Sequence, residues 1–233
     1  YHIGNKTFMN LESIAIDGPA ASGKTSIGKL VAQKLDFQFL DTGEIYRALT
    51  WGAIEKAVGF EDDEALISLA RNLKISLVSD GKSRKLFVNH QDITNQLRIP
   101  EVEHGVSIVS KVSGVRTLMV EQQRNIALES PIVMVGRDVG TVVLPKANCK
   151  IYLDASLDVR AKRRYQQIKS SGDSIEYNQV LTDLSRRDKI DMHRSDSPLI
   201  AAPDAILVNT DELGIEQLAD KILCIAKNTC RNT

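Results

Sequence analysis

Apolar and polar positions along this chain follow two rhythms. Short, nearly continuous apolar runs begin at Ile14 and recur at residues 37–41, 131–136, 149–154 and 205–210, which predicts five buried strands. Between them the apolar residues recur at helical spacing. Ile27, Leu30, Val31 and Leu35 follow the first run, and Ile215, Leu218, Ala219, Ile222 and Ala226 form a last stripe whose role is core packing. Strands alternating with helices predict an α/β fold: a parallel sheet covered by helices on both faces, with ligands gathering beyond the carboxyl ends of the strands. Residues 73–97 break the rhythm. They alternate one by one around Ser-Asp-Gly-Lys at 79–82, which predicts a small antiparallel sheet with Asp80 and Gly81 in a hairpin turn. The expected division is a core of residues 11–58 and 130–233, an inserted region at 59–129, and an extension at 1–10 that carries no motif.

Composition narrows the class. A length of 233 residues suits one large α/β domain with insertions, and thirty basic residues cancel thirty acidic ones, so no overall field recruits nucleic acid or an anionic membrane. Cys149, Cys224 and Cys230 lack metal-binding spacing and predict reduced thiols in a cytoplasmic protein. No apolar run approaches the roughly 18 residues of a membrane span, and no signal-peptide pattern opens the chain. No heptad stripe asks for a partner chain, so a monomer is expected.

Candidate chemistry starts where the first apolar run ends. Gly18, Gly23, Lys24 and Thr25 fill GxxxxGK[ST] between a strand and a helix. In that context the turn directs successive backbone N–H groups at one anion, glycine removes the obstructing Cβ, the helix dipole favours phosphate and Lys24 adds a mobile charge. Gly18, Pro19, Ala20, Ala21, Ser22, Gly23, Lys24, Thr25 and Ser26 are therefore the expected phosphate cradle of a P-loop core. A strand-to-helix turn with two glycines and a lysine would share the spacing alone.

Further along, Thr42 offers a hydroxyl at the start of a second helix, and Arg47 lies about one turn on. Alone they could be a helix cap and a solvated side chain; one strand from a phosphate loop they suit a second phosphorylated molecule. Arg160, Lys162, Arg163 and Arg164 precede a polar segment at 166–179, either a lid (about 160–185) or a solvated basic helix with a surface loop. Arg187, Asp191 and Arg194 are spaced i, i+4 and i+7 on one helical face, which ordinary surface ion pairs of about 0.2–0.5 kcal/mol would also explain. Arg137 and Asp138 close a strand and could simply pair with each other.

The ordered set has a family likeness. IDGPAASGKT followed by LDTGEIYRAL resembles the opening of bacterial cytidylate kinases. The hairpin resembles the small sheet that this family inserts in its monophosphate-binding region. Ser107, Val115-Arg116 and Gln123-Arg124 are similar to a further family series; Gly136-Arg137-Asp138-Val-Gly140-Thr141-Val-Val-Leu-Pro145 is the most distinctive match. Arg187-Asp188-x-x-Asp191-x-x-Arg194 followed by Pro198-Leu199 completes a resemblance running over residues 14–226.

The resemblance implies ATP-dependent phosphorylation of CMP and dCMP, with ATP phosphates in residues 18–26 and Mg²⁺ near the hydroxyl of Thr25 or Ser26. It assigns the CMP phosphate to Arg47, Arg137 and Arg194 near Thr42, the base to Ser107, Arg116 and Asp138, and the sugar to Arg187 and Asp191. Lys24, Arg137, Arg187 and the lid residue Arg163 are the expected catalytic side chains. Ala21 departs from the glycine many relatives carry, and a negative φ is expected there. Residues 111–114 lack the expected proline, which leaves the following helix less defined. Two other classes share the first loop: a P-loop kinase for another acceptor (adenylate, shikimate or dephospho-coenzyme A) and a nucleotide-binding protein without turnover. The Ser107, Arg116 and Asp138 set and the hairpin weigh against the first, and the intact Lys24, Arg47, Arg137 and Arg187 against the second.

Overall fold

The computed structural model describes residues 11–79, 84–170, 172 and 174–229. The Asp80-Gly81 turn, the extension at 1–10, Cys230 and two residues of the Ser-Ser-Gly-Asp stretch, Ser171 and Asp173, lie outside the described residues. In chain order the elements are β1 (Ser13–Asp17), α1 (Lys24–Leu35), β2 (Gln38–Asp41), α2 (Thr42–Glu55), α3 (Asp63–Asn72), β3 (Ile75–Ser79), β4 (Arg84–Val88) and β5 (Gln91–Asp92). They continue with α4 (Pro100–Val109), α5 (Ser113–Ala127), β6 (Ile132–Gly136), β7 (Cys149–Asp154), α6 (Leu157–Ser170), α7 (Tyr177–His193), β8 (Ile206–Asn209) and α8 (Ile215–Thr229). These elements fall into two compact units, one formed by the chain up to Phe39 and from Pro131 onward, the other by Leu40–Ser130.

The expected parallel sheet is present, in the order β2-β6-β1-β7-β8. β1 runs parallel to both β6 and β7, and β7 parallel to β8. Its apolar runs are buried because both faces are covered: Ile14, Ile16, Val133, Val135, Ile151 and Leu153 pack with Ile27 and Val31 of α1 and Leu218, Ala219, Ile222 and Ala226 of α8. Burying each large aliphatic contributes about 1.5–3 kcal/mol, which fixes the register. In that register Asp17 of β1 lies opposite Gly136 of β6, so the segments after these strands start side by side. The sequence reading was too apolar at two points. Ile206 and Leu207 of β8 are exposed, with only Val208 buried, because β8 is an edge strand. Ile215 is exposed at the first turn of α8.

In the second unit β3, β4 and β5 form the small antiparallel sheet, with Ile75 opposite Val88 and Phe87 opposite Asp92. Leu66 and Ala70 of α3, Val102 and Val109 of α4, and Val115, Met119 and Ile126 of α5 are buried. Helix α5 begins at Ser113 without a proline, and Val112 supplies an extended N-cap. Among the described residues no helix is long and apolar enough to cross a membrane.

Candidate functional site

The cradle is built from backbone. Gly18 has φ 148°, and a Cβ there would lie 2.2 Å from the Leu153 carbonyl oxygen, so no other residue fits. Gly23, at φ 95°, caps α1; no side chain caps that helix and no acidic residue sits in its first turn. A helix start of this kind, with no acidic side chain in its first turn, favours an anion. Lys24 is buried and bridges the loop, its Nζ donating to the Pro19 carbonyl at 2.6 Å and to Ser22 Oγ at 3.4 Å. Ala21 corrects an expectation: its φ is +60°, in the left-handed region, because the chain reverses there between the Ala20 and Ser22 peptides. Thr25 is half-buried and Ser26 exposed, so Thr25 is the better-placed hydroxyl beside Lys24.

Beside the cradle, at the end of β6, a lattice of charges assembles. Asp17 is buried, and its carboxylate accepts from Val139 N–H at 2.8 Å and Gly140 N–H at 2.7 Å, in the single π turn Val139–Val143 that follows Asp138. Burial, with a smaller push from Asp138, outweighs these donors and Lys24, and lifts its pKa from 3.8 to about 6. Arg137 does not simply close the turn against Asp138. It donates to Asp191, while Asp138 faces Arg194 at 3.9 Å and Arg194 also lies 3.9 Å from Asp191. Burial alone would raise the Asp191 pKa, but Arg137, Arg187 and Arg194 together hold it below the usual carboxylate range. The one-face helical reading of this group needs amendment: α7 stops at His193, and Arg194 leaves it in an extended conformation with its Nε on the Ser197 carbonyl at 2.5 Å. Arg187 is exposed one turn before Asp191.

The second unit carries its own cluster around the start of α2. Asp41, not Thr42, caps this helix, accepting from Gly43 N–H at 3.0 Å; Thr42 is buried in the first turn. Arg47 donates to Glu103 at 2.9 Å, and exposed Ser107 lies one turn beyond Glu103 on α4. Arg116 is buried with its guanidinium 5.3 Å from the centre of the Tyr46 ring, the residue before Arg47, and donates to the Ser110 carbonyl at 3.2 Å. Arg84 pairs with Glu44 on the same helix. Sequence reasoning missed Glu103, Glu44 and Arg84, whose partners are distant in the chain. It also missed Asp17, although a carboxylate ending an apolar run directly before Gly18 was a usable signal.

Helices α6 and α7 pack on the loop, with Ala161, Val180 and Leu184 clustered around Ala20. Their basic residues divide by burial. Arg160 is buried, paired with Asp188 at 2.7 Å, and donates to the carbonyls of Ala20 at 3.1 Å and Ala155 at 3.0 Å. Arg163, expected over the transferring phosphoryl group, instead donates to the Thr210 hydroxyl at 2.9 Å and carbonyl at 2.5 Å, since α6 turns this residue onto the end of β8. Lys162 and Arg164 are on the outer side, with Asp158 and Gln167. Among the described residues no cluster of three or more His, Cys, Asp or Glu could hold a metal.

Residues 14–228 match the family model described as Cytidylate kinase. The chain is 44% identical over 211 residues to the cytidylate kinase of Bacillus pumilus, an alignment covering 91% of this chain and 94% of that protein. Identity to the Bacillus subtilis cytidylate kinase is 43%, again over 91% and 94%. A crystal structure of an uncharacterized protein from Eubacterium ventriosum superposes with a TM-score of 0.51 over 93% of this chain and 98% of that one. At 14% identity this likeness speaks to fold alone.

Proposed function

The chain belongs to the cytidylate kinase family, and from that premise we propose that it moves the γ-phosphoryl group of ATP in line onto the phosphate of CMP or dCMP. The observation that carries the reading is the grip of Asp17 on Val139 and Gly140. It ties the end of β1, where the phosphate cradle starts, to the turn that presents Arg137 and Asp138 at the end of β6.

In this reading the ATP phosphates lie in residues 18–26, and Lys24 gives up the Pro19 carbonyl to reach them. The half-buried Thr25 fits Mg²⁺ better than Ser26; the bound ion would supply charge neutralisation to the phosphates. Arg47 and Arg137 take the CMP phosphate, since a planar guanidinium can bond two of its oxygens and fix the acceptor oxygen in line. Thr42 and Arg194 support that end, and Arg187 with Asp191 takes the sugar. The attacking oxygen is already anionic near neutral pH, so no strong general base is required. Lys24, Arg137 and Arg187 offset the charge that shifts during transfer.

Base choice falls to Asp138, Ser107 and Arg116. A buried carboxylate accepts from the cytosine N4 amino group, whereas uracil would present an O4 acceptor to it. A site built on a required hydrogen bond can reject the wrong partner by roughly 10⁴-fold. Steady-state phosphorylation of CMP, dCMP, UMP and AMP with ATP tests this directly. CMP is expected to be far ahead of UMP and AMP; equal rates on CMP and AMP would overturn the assignment.

A further inference from the structure

The basic run on α6 splits into residues that face outward and two whose guanidiniums are turned inward, Arg160 onto the phosphate loop and Arg163 onto Thr210. Arg160 Nη1 donates to the Ala20 carbonyl at 3.1 Å while its other donors hold Asp188 and the Ala155 carbonyl. Two residues on in the loop, the Ser22 carbonyl accepts from the hydroxyl of Thr210 at 3.3 Å. That hydroxyl in turn accepts from Arg163 at 2.9 Å, so its own proton is committed to Ser22. Thr210 and Ser22 are fully buried, and Arg160 nearly so, which shields these bonds from water.

The consequence follows from the planar peptide. In a trans peptide unit the carbonyl and the next N–H point in opposite directions. Holding the Ala20 and Ser22 carbonyls toward α6 and β8 therefore turns the N–H groups of Ala21 and Gly23 away from them. Ala21 lies between the two held peptides at φ +60°, a conformation an alanine does not take by preference. A turn bond from the Ser22 N–H to the Pro19 carbonyl at 3.4 Å spans it, and Arg160 and Thr210 add a hold on the carbonyls of the two flanking peptides.

We propose that Thr210, backed by Arg163, and Arg160, backed by Asp188, are positioning residues that clamp the phosphate loop from its carbonyl side and so aim its N–H groups at the ATP phosphates. The clamp rests on the reading of residues 18–26 as the ATP cradle. It ties that cradle to α6 and to the end of β8, and it gives Arg163 work other than meeting the transferring phosphoryl group.

Thr210→Val is the decisive variant, because it keeps shape and volume, deletes the hydroxyl and leaves the Arg160–Asp188 pair intact. With the full-length protein, ADP binding by titration calorimetry and the KM values for ATP and CMP are measured for wild type, Thr210→Val and Thr210→Ser. Losing one buried neutral hydrogen bond should weaken ADP binding and raise the ATP KM about fivefold to tenfold. The CMP KM should stay within about twofold, and Thr210→Ser should restore the wild-type values. Unchanged ADP affinity in Thr210→Val overturns the clamp, as does an equal loss for both substrates that Ser fails to rescue. A wild-type protein that binds ADP yet leaves CMP untouched would sink the acceptor assignment instead, and the ADP titration would still score the clamp.

Discussion

The phosphate cradle and the arginines of the Leu40–Ser130 unit handle charge in opposite ways. In the cradle the binding groups are backbone N–H dipoles, fixed when the chain folds, with Gly18 absorbing conformational cost that the left-handed Ala21 has to bear. Within residues 18–26 Lys24 is the one charged side chain. Arg47 and Arg84, in contrast, are full charges at partly buried positions, and each leans on a carboxylate, Glu103 and Glu44. Under the proposed function, a phosphate arriving at Arg47 would have to displace Glu103. The dipoles are aimed by bonds to the loop's carbonyls, whereas the guanidiniums are neutralised by place-holding carboxylates.

The largest effect should come from removing the cradle's one mobile charge. Lys24→Ala is expected to lower kcat roughly 10²–10³-fold while changing the CMP KM little, as for a group whose interaction is made mainly in the transition state. Comparable losses in kcat and in CMP binding would assign Lys24 to folding or ground-state binding.

Two carboxylates, Asp17 buried and Asp191 half-buried, sharpen the contrast through the sign of their pH dependence. Burial pushes the pKa of Asp17 up to about 6 despite the N–H groups of Val139 and Gly140, so the folded protein keeps this proton more tightly than the unfolded chain. Its contribution to stability is therefore fully present below the ordinary value of 3.8 and lost as pH rises through about 6, a span of about 3 kcal/mol. Asp191, in the arginine lattice, is shifted down and behaves oppositely, losing its contribution as pH falls. Urea unfolding of wild type and Asp17→Asn across pH 4 to 7 measures the difference: the gap between the two proteins should move in favour of the variant as pH rises. Parallel profiles would refute the assignment to Asp17.

Arg47 and Glu103 give a pair of opposed outcomes. Arg47→Ala should raise the CMP KM by about ten- to a hundredfold, the range for a charge-assisted hydrogen bond, and leave the ATP KM alone. Glu103→Gln removes the place-holder's charge and should lower the CMP KM a few-fold. If Glu103→Gln weakens CMP binding instead, Glu103 orients Arg47 more than it competes for it. The smallest change is in the loop itself: Ala21→Gly should relieve the left-handed strain and raise the unfolding free energy by about 1 kcal/mol. A loss of stability would mean that the φ of +60° is not what the loop adopts in solution.

How much of this was legible before the structure depends on how far apart the cooperating residues are. The cradle was readable because its parts are contiguous: strand, Gly18, Gly23, Lys24 and helix lie within one short stretch. The parallel sheet was readable from the spacing of apolar runs, although the exposed edge at Ile206 and Leu207 was not, since an apolar run does not say which strand ends a sheet. The conformation of Ala21 was misjudged because a local preference for negative φ yields to the geometry of the whole loop.

Sequence alone determined the fold class, the phosphate loop and the resemblance, each carried by local spacing or by motifs in fixed order. Tertiary structure alone decided the pairings. Glu103 is 56 residues from Arg47, Asp191 is 54 from Arg137, and Thr210 is 188 from the Ser22 carbonyl it holds. A side chain's partner is set by which strands and helices become neighbours, and neighbour choice is made by burial of the whole core, a property that no stretch of sequence carries by itself.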